Sequence, residues 1–332
     1  MRRLLASFDF WISVAMIVAG LAALAWSSDR FIAASSTLAK ALGISPFIIG
    51  MVIVGFGTSA PELCVSVMSG ISGHADLSVG HAYGSCIFNI AVILGVSAWV
   101  SPLTVKRQTA VVAGVALTAI TVFSFFLLRD GLCSRYDSLL MLGLFSLLLP
   151  VYCWYDQKNS SPGAESGSEA DGSAGLPMAF FWLVIGFSVL VGSSHILVKG
   201  SVNVAKMFGV SDLMIGLTIV AAGTSLPELA SAIASARRRE HELVLGNIIG
   251  SNFFNMLAVV GIANAISPSH GISGTVLARD LPLMAMLSFS ITLFGINFRR
   301  PSADGEIGRS KGLLWLAVYV VYTVVMYFQE VA

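Results

Sequence analysis

Residues 27–102 recur as residues 193–268 at a single ungapped offset of 166. Few features restrict a fold as much, because every element of the first copy must have a counterpart in the second. Ser27-Ser28 falls on Ser193-Ser194, Lys40 on Lys206, Gly43 on Gly209, Ser45 on Ser211 and Ile49-Gly50 on Ile215-Gly216. The run Gly57-Thr58-Ser59-Ala60-Pro61-Glu62-Leu63 falls on Gly223-Thr224-Ser225-Leu226-Pro227-Glu228-Leu229. Gly80, Gly84, Ser85, Phe88, Asn89 and Gly95 then match Gly246, Gly250, Ser251, Phe254, Asn255 and Gly261, and Ser101-Pro102 meets Ser267-Pro268.

Both copies lie in sequence that water cannot solvate. Hydrophobic residues make up 56% of the chain, charged residues 11%, and the mean hydropathy is +0.85. Soluble domains carry roughly 25% charged residues. Apolar runs such as Trp11 to Trp26 and Gly312 to Phe328 have the length that crosses a hydrocarbon core. The first of these follows Arg2-Arg3 as a signal peptide would, but its closing Ser27-Ser28 belongs to the repeat, so it reads as a retained span. A net charge of +1 without a basic stripe excludes a nucleic-acid partner. Cys64, Cys86, Cys133 and Cys153 show no metal-binding or redox spacing.

The apolar pattern predicts an all-α integral membrane protein of about ten transmembrane helices. The expected spans are 11–42, 46–71, 76–100, 109–128 and 137–156, then 178–208, 212–237, 242–266, 280–298 and 312–329. The first and sixth exceed the thickness of a bilayer. Residues 1–156 then form one five-helix repeat and residues 178–332 a second. Between them 157–177 is a Ser/Gly/acidic linker with Pro162 and Pro177. Five spans is an odd number, so the second copy enters the membrane from the opposite side, the inverted repeat of secondary transporters. With both termini outside, inner segments hold ten Lys and Arg, including Lys106, Arg107 and Arg237-Arg238-Arg239, and outer segments six. Positive residues concentrate in cytoplasmic loops, so this orientation is expected, with a cytoplasmic linker.

Of eighteen acidic residues, Glu62 and Glu228 alone fall mid-span in apolar sequence. A charge at the bilayer centre costs at least ~2.5–3.5 kcal/mol, so an intramembrane carboxylate requires a reason. A protonated or hydrogen-bonded structural glutamate would explain one, but not two at matching positions in duplicated motifs. Thr58 and Glu62 are four apart on one helix face, as are Thr224 and Glu228. Pro61 and Pro227 lack an N–H, which strips the Gly57 and Gly223 carbonyls of their helical donor. Such broken backbone is tolerated at membrane depth where it is buried or lines a cavity. Ser85 and Asn89 make another four-apart pair, matched by Ser251 and Asn255. This donor set is all oxygen, which suits sodium, calcium or magnesium rather than zinc or copper.

Plainer roles exist for some of these positions. Gly80/Gly84 and Gly246/Gly250 have the spacing of close helix packing. Ser85 and Ser251 can bond their own helix backbone, and His74, His81 and His195 suit interfacial or capping positions better than ligation. Arg237, Arg238 and Arg239 read as a cytoplasmic anchor.

GTSAPEL at 57–63 with GSCIFN at 84–89, and GTSLPEL at 223–229 with GSNFFN at 250–255, resemble the two alpha-repeats of the calcium/cation antiporter superfamily, in its sodium/calcium exchanger branch of prokaryotic type. The resemblance implies a multi-pass protein of a bacterial or archaeal inner membrane whose partners are sodium and calcium ions and the lipid bilayer, working as a monomer without a cofactor. It assigns ion-binding roles to Thr58, Glu62, Ser85, Asn89, Thr224, Glu228, Ser251 and Asn255, and to backbone carbonyls near Gly55 and Ala221. It also implies that the long first and sixth helices slide as a gating pair. Well-studied sodium/calcium members often carry aspartate where this chain has Asn255, and His81 replaces an asparagine common at the start of the first GNxxGS motif. The proton/calcium branch typically has asparagine where this chain keeps Thr58 and Thr224.

The expected function is therefore sodium/calcium antiport by alternating access. Proton-coupled export of calcium or another divalent ion is the alternative, because protons compete with cations for buried carboxylates. An intramembrane hydrolase acting through the two glutamates is a rival of another class, but the chain has no HExxH motif and no histidine placed as a partner.

Overall fold

Backbone that leaves water must satisfy its own hydrogen bonds, and an apolar run of membrane length does so as a helix. The structure, a computed structural model, describes residues 8–71, 75–159, 176–208, 221–297, 300 and 303–331. In chain order, α1 is Phe8–Leu42 and α2 is the bent pair Pro46–Thr58 and Ala60–Ile71. Helix α3 runs from Ala75–Phe88 through a widened π segment, Asn89–Leu94, into Gly95–Val100. Strand β1 (Leu103–Val105), α4 (Arg107–Leu128), α5 (Arg135–Asn159) and α6 (Leu176–Met207) follow. The described part of α7 consists of Ala221–Thr224 and Leu226–Arg237. Helix α8 is His241–Ile266 with a π segment at Phe254–Val259, and α9 is Val276–Gly295. Strand β2 (Gly305–Ile307) and α10 (Arg309–Val331) complete the order.

Among the described residues, eight helices are long and apolar enough to cross a membrane, and the bent pair of α2 makes a ninth. The chain is thus an all-α membrane protein. The expected span 212–237 begins in residues outside those described and is seen from Ala221 onward. Most of the expected linker, 160–175, also lies outside them. The expected span 46–71 is one bent element: it turns by 46° between its two pieces. Pro61 provides no N–H to the preceding turn. The bend falls two residues earlier, at Ser59 (φ −83°, ψ 5°), whose own N–H still reaches the Gly55 carbonyl at 3.1 Å.

Helix α8 is buried through its central turns, Leu243 to Gly261, at the centre of the molecule with α3. Side chains on α1, α4, α5 and α10 such as Trp11, Phe126, Leu139 and Val320 stay exposed, as lipid-facing residues must. Two close helix contacts fix the centre. Gly50 and Gly55 of α2 sit against the α8 backbone, where a Cβ would lie 2.8 Å from the Leu243 carbonyl oxygen and 3.0 Å from the Ser251 nitrogen. In return, Gly246 and Gly250 press on the carbonyls of Phe47 and Met51, so the Gly246/Gly250 spacing does serve close packing. Residue numbers rise together along this contact, and the two helices run parallel.

The long helices α1 and α6 pack on each other in the opposite sense. Gly200 approaches Ser13, Gly20 approaches Leu197 and Gly186 approaches Phe31, with a Cβ on any of the three meeting atoms 2.8–3.0 Å away. One number falls as the other rises, so this pair is antiparallel. Adding 166 to Gly20 and Phe31 gives Gly186 and Leu197, so each of these two contacts is the counterpart of the other.

At one end of the molecule, β1 and β2 pair antiparallel, Leu103 opposite Ile307, and the Thr104 N–H donates to His241 Nδ1 at 2.7 Å. The connections after α3, after α7 and before α10 therefore share one end. At the other end, Cys133 bridges Ser269 and the Ile272 N–H reaches the Gly131 carbonyl at 2.9 Å.

Candidate cation site

The break at Ser59 starts a new helix with Glu62 in its first turn, and Ser225 (φ −91°, ψ 10°) does the same for Glu228. The first turn of a helix carries unpaired N–H groups and the positive end of the helix dipole, which favours a negative charge there. Both glutamates have no solvent exposure. Each is met by the other copy of the motif: Ser59 Oγ donates to Glu228 Oε1 at 3.1 Å, and Ser225 Oγ donates to Glu62 Oε1 at 3.1 Å. The threonines follow the same crossing, Thr224 lying near the Glu62 carboxyl and Thr58 near that of Glu228. The second oxygen of each carboxylate, Oε2, is buried without a hydrogen-bond partner. Each carboxylate thus has one oxygen tied to the opposite copy of the motif and one without a partner.

Helices α3 and α8 close the site. Asn89 and Asn255 each fall at the start of a π segment, where the widened turn carries the side chain away from the regular helical register. Both asparagines are fully buried, as are Ser251 and, at 5% exposure, Ser85. Ser251 Oγ donates to the Gly55 carbonyl at 3.3 Å, which brings together a hydroxyl and a carbonyl both expected at the site. Asn89 Nδ2 donates to Asn252 Oδ1 at 3.0 Å, while neither atom of the Asn255 amide has a partner. Thr58 Oγ1 bonds the Val54 carbonyl at 3.0 Å and Asn247 Oδ1 at 3.2 Å, and Asn247 Nδ2 bonds Ser231 Oγ at 2.9 Å. Ala221 opens the described part of α7, in the turn that ends at Thr224.

The structure therefore gathers Thr58, Glu62, Thr224, Glu228 and Ser251 into one network with Gly55, and sets Asn89 and Asn255 at matching turns of α3 and α8. Sequence reasoning missed four members: Ser59 and Ser225, which make the crossing bonds, and Asn247 and Asn252, which hold Thr58 and Asn89. The two serines had a signal, since both lie inside the duplicated GTSxPEL, next to the threonines that were singled out. Asn247 had a weaker one, since its counterpart is His81. His81 is half-buried with Nε2 unpartnered, His195 is exposed, and His74 lies outside the described residues. Among the described residues no three His, Cys, Asp or Glu side chains cluster as a transition metal would need. Hydroxyls, amides, carbonyls and two carboxylates are the donor types that hard cations prefer.

Comparison with known proteins agrees with this chemistry. The family described as "Sodium/calcium exchanger protein" matches residues 12–154 and 178–328, nearly all of the chain. The inner membrane protein YrbG of Escherichia coli K12 is 35% identical over 96% of this chain and 97% of its own length. The sodium/calcium exchanger MaX1 of Methanosarcina acetivorans is 28% identical, covering 94% and 98%. A solved structure of the sodium-calcium exchanger NCX_Mj superposes with a TM-score of 0.80 at 28% identity, over 94% of this chain and 98% of that one. This chain is a membrane transporter, not an enzyme, and it belongs to the sodium/calcium exchanger family.

Proposed function

We propose that the protein exchanges sodium for calcium across a cell membrane by alternating access at Glu62 and Glu228. The observation that carries this reading is the crossed pair of hydrogen bonds, Ser59 to Glu228 and Ser225 to Glu62, which leaves one oxygen of each buried carboxylate unpartnered. Cations are the natural partners of those two oxygens, because an uncompensated charge in low dielectric is costly. Thr58, Ser85, Asn89, Thr224, Ser251 and Asn255 supply neutral oxygens, with the Gly55 and Ala221 carbonyls. Ser59 and Ser225 join them.

The empty site carries about two negative charges and resists passage across an apolar barrier. One calcium, or two sodium ions, neutralises it and lets it occlude; a third sodium adds a positive charge and makes the exchange electrogenic. Loaded states cross and empty states do not, which is the condition for antiport rather than leak. Ten spans in two inverted halves, 1–156 and 178–332, give the site its near-symmetry, and the reciprocal contacts of α1 with α6 support that arrangement. The antiparallel pair α1 and α6 serves as the gate, and the protein works as a monomer with both termini outside.

The test is uptake of calcium-45 into proteoliposomes loaded with sodium, against potassium and choline, with the pH gradient collapsed. Uptake that depends on internal sodium is the expected result. Uptake indifferent to sodium and restored by a proton gradient would replace this reading with calcium/proton exchange.

A further inference from the structure

The two halves of the site are not equivalent, and the difference lies at one position. Under the offset of 166, Asn89 corresponds to Asn255 and Asn252 corresponds to Cys86. The bond from Asn89 Nδ2 to Asn252 Oδ1, at 3.0 Å, would therefore have as its counterpart a bond from Asn255 Nδ2 to the side chain at 86. Cysteine offers no amide oxygen there. Its sulfur lies 3.8 Å from the Asn252 backbone carbonyl, and the Asn255 amide is left with both its nitrogen and its oxygen buried and unpartnered. Asn89, by contrast, has its nitrogen tied and only its oxygen unpartnered.

We infer that Cys86 is a positioning residue of this exchanger that tunes calcium affinity through Asn255: it leaves Asn255 a compliant ligand opposite a pre-oriented Asn89. A tied amide has its oxygen already turned toward the site and loses little freedom when a cation arrives; an untied one must be ordered by the ion. Asn89 is then the firm ligand and Asn255 the yielding one, which weakens calcium binding and eases release. The inference rests on the exchange reading above and adds a residue that touches no ion in it.

The variant that tests it is Cys86→Asn, which supplies the missing acceptor, with Cys86→Ala as the packing control. Cys86→Asn is expected to tighten calcium binding by roughly three- to tenfold, the scale of immobilising one side chain, and to lower maximal turnover. Cys86→Ala keeps the wild-type half-saturating concentration. Calcium titration of the purified protein by calorimetry reads affinity even where a variant no longer transports. Asn252→Ala, which frees Asn89, is expected to weaken binding. Unchanged calcium affinity in Cys86→Asn, or an equal shift in Cys86→Ala, overturns the inference and leaves the exchange reading standing. No calcium binding by the wild-type protein overturns the exchange reading itself, and the inference with it.

Discussion

At the residue scale, the proposed exchange rests on two buried carboxylates whose charge a cation would oppose. Glu62→Gln and Glu228→Gln preserve shape and hydrogen-bonding capacity but remove the charge that a cation must meet. Each is expected to reduce sodium-dependent calcium uptake to the level of empty liposomes, with the purified variant still eluting as a monodisperse, helical protein. Normal exchange by either one would refute the mechanism. The glutamates were legible in sequence because a charge in an apolar run contradicts its surroundings, and because the contradiction occurs twice at one offset. Their partners were not. Spacing along one helix pairs Glu62 with Thr58, whereas in space the Glu62 carboxylate is held by Ser225 and approached by Thr224. That exchange depends on how the copies face each other, and no local pattern encodes it. Asn247 and Asn252 were hidden for another reason: their roles come from side chains on other helices, Thr58 and Asn89.

At the scale of elements, close backbone contact and a polar clasp have different consequences. Gly250 sits where a Cβ would run into the Met51 backbone, whereas Gly143 on α5 has open space around it. Overpacking a tight contact costs roughly 1–3 kcal/mol. Gly250→Ala should therefore melt several degrees below wild type in detergent, and Gly143→Ala should not. The clasp lies at the turn between α7 and α8. Ser36 Oγ donates to Glu240 Oε1 at 2.9 Å, Arg238 Nη2 donates to the Asp29 carbonyl at 3.2 Å, and both contacts fasten α1 to that turn. The same turn holds β1 through His241 and pairs Glu242 with Lys106. The counterparts of Asp29, Ser36, Arg238 and Glu240 are His195, Val202, Ser72 and His74, a set with no carboxylate or guanidinium. If α1 and α6 gate the site as proposed, Glu240→Ala loosens the pair at this end, so half-saturating calcium at the two membrane faces should change in ratio by about threefold, the size of one weak polar contact. Oppositely oriented vesicles measure that ratio, and equal changes at both faces would show that the clasp does not bias the gate. Helix ends were read from sequence to within a few residues, since apolar length and Gly or Pro punctuation are local. The bend at Ser59 was read only as an effect of Pro61, because its position depends on which upstream carbonyl the chain can still satisfy.

For the whole molecule, the open question that the fold sharpens is which end faces the cytoplasm. Lys106, Arg107, Arg238, Arg239, Arg309 and Lys311 gather at the end marked by the β1–β2 ribbon, and Arg129, Arg135 and Arg279 at the end where Cys133 bridges Ser269. Cytoplasmic segments carry the excess of Lys and Arg, so the ribbon is expected inside and both termini outside. Asp304 and Asp130 are exposed at the two ends and outside the spans, so each can report its side as a cysteine. Three of the four native thiols interfere little, and the half-buried Cys153 is replaced by alanine in the background used. Cys86 is fully buried, Cys64 is exposed in mid-span on α2, out of reach of a membrane-impermeant reagent if that face meets lipid, and burial pushes the Cys133 thiol up to about 12, far from the reactive thiolate form at neutral pH. In intact cells, a membrane-impermeant maleimide should label Asp130→Cys and leave Asp304→Cys untouched until the membrane is opened. The reverse pattern would turn the molecule over, placing the Glu240 clasp outside and making it a brake on access from that face instead. Exchange itself would survive the reversal, because a site with one carboxylate from each motif presents a glutamate from either side.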